Sequence, residues 1–124
     1  LDNDFEIYKV PFIIWTPSLE ENLTIDKVTS TYDIMPTLCN LFDINLDGHL
    51  IIGRDALSDK DGLVIFEDRS WLSDRAYYNA TKGAIIKLDP SITDHEIDEI
   101  NNQVFEEIQI SQNILTSNYF ASDN

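Results

Sequence analysis

His95 is the one histidine of this 124-residue sequence that follows an acid, and an Asp94–His95 pair can ligate a metal or relay a proton. Its setting argues for something simpler. In "ITDHEI", Thr93 is an N-cap, Glu96 completes a capping box, and Ile92 and Ile97 form the hydrophobic staple across the helix start. Asp94 and His95 then fall at the first two helical positions, where an acid is expected because it complements the helix dipole. The other histidine, His49 in "DGHL", flanks a turn and has no cysteine or second histidine near it to share a metal. "DINLDG" and "DALSDKDG" look superficially like calcium loops, but the 1-3-5 acid spacing with a closing Glu is not met. The sequence holds no glycine-rich phosphate loop, nucleophile elbow or paired-cysteine motif. Asn22-Leu-Thr24 and Asn79-Ala-Thr81 fit the glycosylation pattern, which is too common to assign a role. No catalytic, cofactor-binding or metal-ligating residue is therefore assigned within this chain.

The elements around these residues are easier to read. A helix over about 94–116 carries an apolar stripe of Ile97, Ile100, Val104, Ile108 and Leu115, with Asp98, Glu99, Glu106 and Glu107 turned largely outward. Before it, "LVIF", "SWLSD", "AYYNA" and "AIIKL" are short β-type segments separated by turn residues, which predicts a small antiparallel meander over Leu63 to Leu88. Asp43 to Gly62 is rich in Asp, Asn and Gly and reads as a connection across the surface around the short apolar piece "HLII".

In "STYDIMPTLCNLFDI", Pro36 is tolerated only in the first turn of a helix, so the helix must begin near Asp33 and run over about 33–42. Asp33 is the expected N-cap, and Ile34, Leu38, Leu41 and Phe42 share one apolar face that packs on a sheet. "KVPFIIWTP", closed by two prolines, suits a strand over about 10–15 buried on both faces of a mostly parallel sheet.

Composition narrows the function classes. Eight basic residues against 23 acidic ones give a net charge of −15, which repels nucleic acid and anionic membrane surfaces. One cysteine, Cys39, excludes an intrachain disulfide and a cysteine-rich metal site. No apolar run approaches the roughly 20 residues that span a bilayer, so the chain taken alone is expected to be soluble.

In order and spacing, "KVPFIIWTP", the polar loop after it, "STYDIMPTLCNLFDI" and "IIGRDALS" resemble the C-terminal part of the alkaline phosphatase/sulfatase superfamily. "GLVIFEDRSWLSDRAYYNATKG" resembles its lipoteichoic acid synthase and phosphoglycerol transferase branch. The likeness runs from Lys9 to about Phe120. It departs at Phe42-Asp43, where many relatives have a small residue and glycine, and at Ala56-Leu57, where Leu usually follows the Asp directly.

The resemblance implies an α/β fold. Residues 1–57 would close the main sulfatase-type sheet layer with one strand and one helix, and 58–124 would form a small antiparallel sheet packed with a C-terminal helix. It also implies a metal-dependent enzyme whose nucleophile, divalent metal (manganese or similar) and Asp-His-Gly motif belong to sequence before Leu1. The parent would be a phosphoglycerol transferase of cell-envelope polymer synthesis, anchored in the membrane and facing outside the cell. A sulfatase or phosphoethanolamine transferase is the alternative within the fold, and a free-standing acidic protein-interaction module the alternative outside it. This segment would itself be inactive. Its partner would be the upstream part of the same domain, with lipid or polymer substrate reached only through the parent, and an exposed sheet edge could also self-associate.

Overall fold

Four short strands and two helices make up the ordered elements of the computed structural model, which describes residues 9–45 and 52–117. β1 (Leu63–Ile65), β2 (Trp71–Ser73), β3 (Ala76–Asn79) and β4 (Ala84–Lys87) pair in chain order as an antiparallel sheet. α1 is Ile34–Leu41 and α2 is Asp94–Ser117. The chain is thus mixed α/β, and the meander stands where the alternating β-type segments place it.

Tight turns set the register. Asp74 and Arg75 alone join β2 to β3, so Trp71 faces Tyr78 and Leu72 faces Tyr77. The β1–β2 turn closes through Phe66 N–H to Ser70 O at 2.8 Å, with Asp68 accepting the Ser70 N–H at 2.9 Å. Strand residues alternate between the two faces of a sheet, and the pairing puts Ile65, Trp71 and Tyr78 in one row and Val64, Leu72, Tyr77 and Ile86 in a row on the other side. The first row meets α2: Leu63, Trp71 and Ala76 are buried with Ile92, Ile97 and Val104. Trp71 is 1% exposed, its indole N–H donates to Asn101 Oδ1 at 2.9 Å, and its ring lies 6.1 Å from that of Tyr78.

α2 begins as its sequence requires. Glu96 N–H donates to Thr93 Oγ1 at 3.2 Å and Thr93 N–H donates to Glu96 Oε2 at 2.8 Å, a reciprocal capping box, while the staple residues Ile92 and Ile97 are both in the core. The far end of the stripe differs, because Leu115 is 79% exposed. Glu107 also departs from an outward position, since it pairs with Arg54.

α1 differs in three respects. A 3₁₀ turn, Thr31–Asp33, precedes it with Ser30 as N-cap, and the Asp33 side chain caps that turn by a capping box and not α1 itself. Asp33 is instead buried, accepting the N–H groups of Ser30 and Arg54, each at 2.7 Å. The buried positions of the helix are Thr37 and Cys39, while Ile34, Leu38 and Leu41 are half-buried and Phe42 is exposed. Thr37 goes inside because its hydroxyl donates to Asp33 O at 2.5 Å and accepts the Ala56 N–H at 2.9 Å. The helix ends in a Schellman motif, with Ile44 N–H bonded to Cys39 O at 2.8 Å and Asp43 N–H to Asn40 O at 3.3 Å. Asp43 sits at φ 53, a conformation that glycine adopts more readily.

The expected strand over 10–15 is not a strand here. No secondary structure is assigned to Lys9–Trp15, and among the described residues none hydrogen-bonds to the backbone of Val10–Trp15. A strand exists only by pairing, and the apolar composition of this run supplies no partner edge.

Two substitutions test this account. Trp71→Ala is expected to cost about 3–5 kcal/mol in urea unfolding, because it empties the centre of the core and orphans Asn101. Asp43→Gly is expected to raise stability by about 1 kcal/mol through relief of the left-handed conformation; an unchanged midpoint would contradict the Schellman geometry.

Candidate functional site

The residues first considered for chemistry do not converge. Asp94 and His95 point to different partners: Asp94 Oδ1 accepts from Lys87 Nζ at 2.9 Å, while His95 Nδ1 lies 3.7 Å from Glu99 one turn along with its side chain 82% exposed. The Lys87 bond and charge hold the Asp94 carboxyl below its usual range, as befits a structural ion pair. His49 lies outside the described residues. Among the described residues no group of three or more His, Cys, Asp or Glu side chains could hold a metal ion, and none of the helices is long and apolar enough to cross a membrane. Cys39 is buried in α1. Asn22 is exposed, whereas Asn79 is held in its turn by Tyr77 Oη at 3.2 Å and by the Lys82 N–H.

A concave feature among the described residues is mainly apolar. A groove of about 810 Å³ runs between the 10–25 segment, α1 and β1, lined by Phe12, Ile14, Leu23, Ile34, Leu41 and Val64 among others. Asp33 and Thr37 border it, but their oxygens are committed to Ser30, Arg54 and Ala56 as described. No buried side-chain nitrogen or oxygen among the described residues lacks a hydrogen-bond partner. With hydrocarbon as the larger part of its lining, the groove is suited to removing apolar surface from water.

Its outer wall is bare. Val10 is 78% exposed, Phe12 55%, Ile13 86% and Trp15 84%, a contiguous apolar strip of the kind that marks an interaction surface in a folded protein. The sequence predicts these residues in a strand buried on both faces, and here they are exposed and unpaired with any strand.

The polar residues that matter most are structural and were missed. Arg75, in the β2–β3 turn, donates to Asp89 at 3.1 Å and to Glu96 at 2.7 Å, fastening the sheet to the start of α2. Ser91 donors and Arg75 lower the Asp89 carboxyl to about 2, and the Thr93 N–H followed by Arg75 lowers Glu96 to about 2. One arginine following an acid in a turn gives no sign in the sequence of which distant carboxylates it will meet.

No family model matches this chain, and neither does any curated protein or solved structure.

Asp89 and Glu96 are depressed from usual values of 3.8 and 4.5, so their contribution to stability is complete above that range and is lost as the pH falls toward about 2. Glu96→Gln is expected to flatten the loss of stability between about pH 5 and 2 in acid titrations followed by circular dichroism. An unaltered acid limb would remove Glu96 from the linkage.

Proposed function

We propose that this chain is a non-catalytic support segment of a larger sulfatase-type enzyme, a metal-dependent phosphoglycerol transferase acting at the outer face of a cell membrane. The observation that carries the reading is the uncovered Val10–Trp15 strip along a groove whose lining is mainly apolar. Burying a Val, Ile or Phe side chain contributes about 1.5–3 kcal/mol, so a strip of this composition favours a covered state strongly. The covering body is the upstream part of the same domain, a reading supported by the order of "KVPFIIWTP", "DIMPTL" and "GRDAL", which resembles the C-terminal part of a sulfatase-type domain.

The division of labour follows from the side chains. The divalent metal that the resemblance implies has no ligand set among the described residues, so no reaction step is assigned to this chain. Its part is to present a hydrophobic wall and a rigid α2–sheet unit against the body that holds the metal and nucleophile. There the metal would lower the pKa of the attacking hydroxyl and neutralise phosphoryl oxygens.

The test compares the 124-residue chain with its full-length gene product. Release of glycerol phosphate from a labelled phosphatidylglycerol analogue with manganese present is expected from the longer protein alone. Release from the 124-residue chain would place the chemistry here and overturn the proposal, and so would inactivity of the longer protein toward phosphate and sulfate esters alike. Turnover of a sulfate or phosphoethanolamine ester instead would retain the fold and change the substrate.

A further inference from the structure

Two of the four glycines follow an aspartate, at Asp47–Gly48, which lies outside the described residues, and at Asp61–Gly62. An Asp–Gly peptide can rearrange by itself, because glycine has no side chain to hinder attack of its nitrogen on the preceding side-chain carboxyl. At position 62 the fold permits no escape by substitution. A Cβ there would stand 1.8 Å from the Val28 carbonyl oxygen, so close packing demands the residue that makes the peptide reactive.

The rearrangement is an isomerisation. Gly62 N bonds to Asp61 Cγ, and the amide proton and a carboxyl hydroxyl leave together as water, which gives a succinimide. Water then adds to the former backbone carbonyl, and the bond from that carbon to Gly62 N breaks. The chain now runs through the Asp61 side chain, the old backbone carbonyl carbon becomes the free carboxylate, and water is the one reagent released and taken up.

The fold treats the two reacting groups differently. Asp61 is exposed and its carboxylate has no hydrogen bond or ion pair among the described residues, so the electrophile is available. The nucleophile is not. Gly62 is buried, and its N–H donates to Asp74 Oδ2 at 2.6 Å, a carboxylate whose charge disfavours loss of that proton. Neighbouring bonds hold the same place: the Val28 N–H donates to Asp74 Oδ1 at 2.5 Å, and Lys27 Nζ donates to the carbonyls of Ser58 and Lys60.

We infer that Asp61–Gly62 is a latent isomerisation site, closed while Asp74 holds the Gly62 N–H and reactive when that clamp opens. The change is one-way in its effect on the fold. A β-linkage adds one carbon to the backbone path between Asp61 and Gly62, and a site already too tight for a Cβ has no room for the shift. Isomerisation therefore frees Val28 and Gly62 from Asp74 and removes this tie between the first part of the chain and the β2–β3 turn. A molecule that has opened here keeps a permanent chemical record of it.

The test follows isoaspartate at position 61 of the 124-residue chain at neutral pH, by peptide mapping with electron-transfer fragmentation. Formation is expected at least about 10-fold more slowly in the folded chain than in guanidinium, in step with the protection of the Gly62 amide against hydrogen exchange. In Asp74→Ala that keeps the blue-shifted emission of the buried Trp71, the folded rate is expected to rise most of the way to the unfolded one. Equal rates in the folded and unfolded chain, or a folded Asp74→Ala as slow as its parent, would overturn the assignment. Should the variant fail to fold, the unsubstituted chain decides, since suppressed isomerisation beside an unprotected Gly62 amide would overturn it equally. Isomerised chains are expected to lose protection at the Val28 N–H while keeping the Trp71 signal, and retained Val28 protection would overturn the loss of the tie.

Discussion

Carboxylates that each accept two backbone N–H bonds hold the first part of this chain to the rest. Asp74, in the β2–β3 turn, takes the Val28 N–H at 2.5 Å and the Gly62 N–H at 2.6 Å, and Asp33 does the same for Ser30 and Arg54. Bonds to a charged acceptor are each worth about 1.5–3 kcal/mol net, more than a neutral pair. The segments they join pass very close. A Cβ on Gly62 would stand 1.8 Å from Val28 O, so glycine is the residue that lets the two backbones share one carboxylate. The position of α1, and with it the groove, follows from these two clamps and from Thr37.

The scarce cations are spent the same way. Arg54 reaches Glu107 and the Leu63 carbonyl, Arg75 reaches Asp89 and Glu96, Lys87 reaches Asp94, and Lys27 donates to the carbonyls of Ser58 and Lys60. With eight basic residues against 23 acidic ones, each internal pairing leaves the surface more uniformly negative. The uncharged strip at Val10–Leu19 is thus a region of this chain that offers a neighbour exposed hydrocarbon with no acid of its own.

What could be read from residues was what neighbours in sequence decide. The Thr93–Glu96 box, the staple and the two-residue Asp74–Arg75 turn are local devices, and the structure has all of them. Asp33 is the opposite case: its sequence context offers the N-cap of α1, but its carboxylate instead joins the Ser30 capping box to Arg54, 21 residues on. Phe42 and Leu115 satisfy a helical stripe yet lie outside, because periodicity says which face they share and not how far the covering element extends. The Val10–Trp15 run has the right composition for a buried strand, but strand formation depends on a neighbour that composition cannot supply.

Trp71 and Trp15, the two tryptophans of the chain, sit at the extremes of solvent contact, 1% and 84% exposed. Their emission therefore separates into a blue-shifted signal from within the sheet–helix core and a red-shifted one from the bare strip. Unfolding of the core moves the first, and covering of the strip moves the second. The chain carries an intrinsic optical reporter for folding of the core and another for any change in the exposure of the strip, with no label needed.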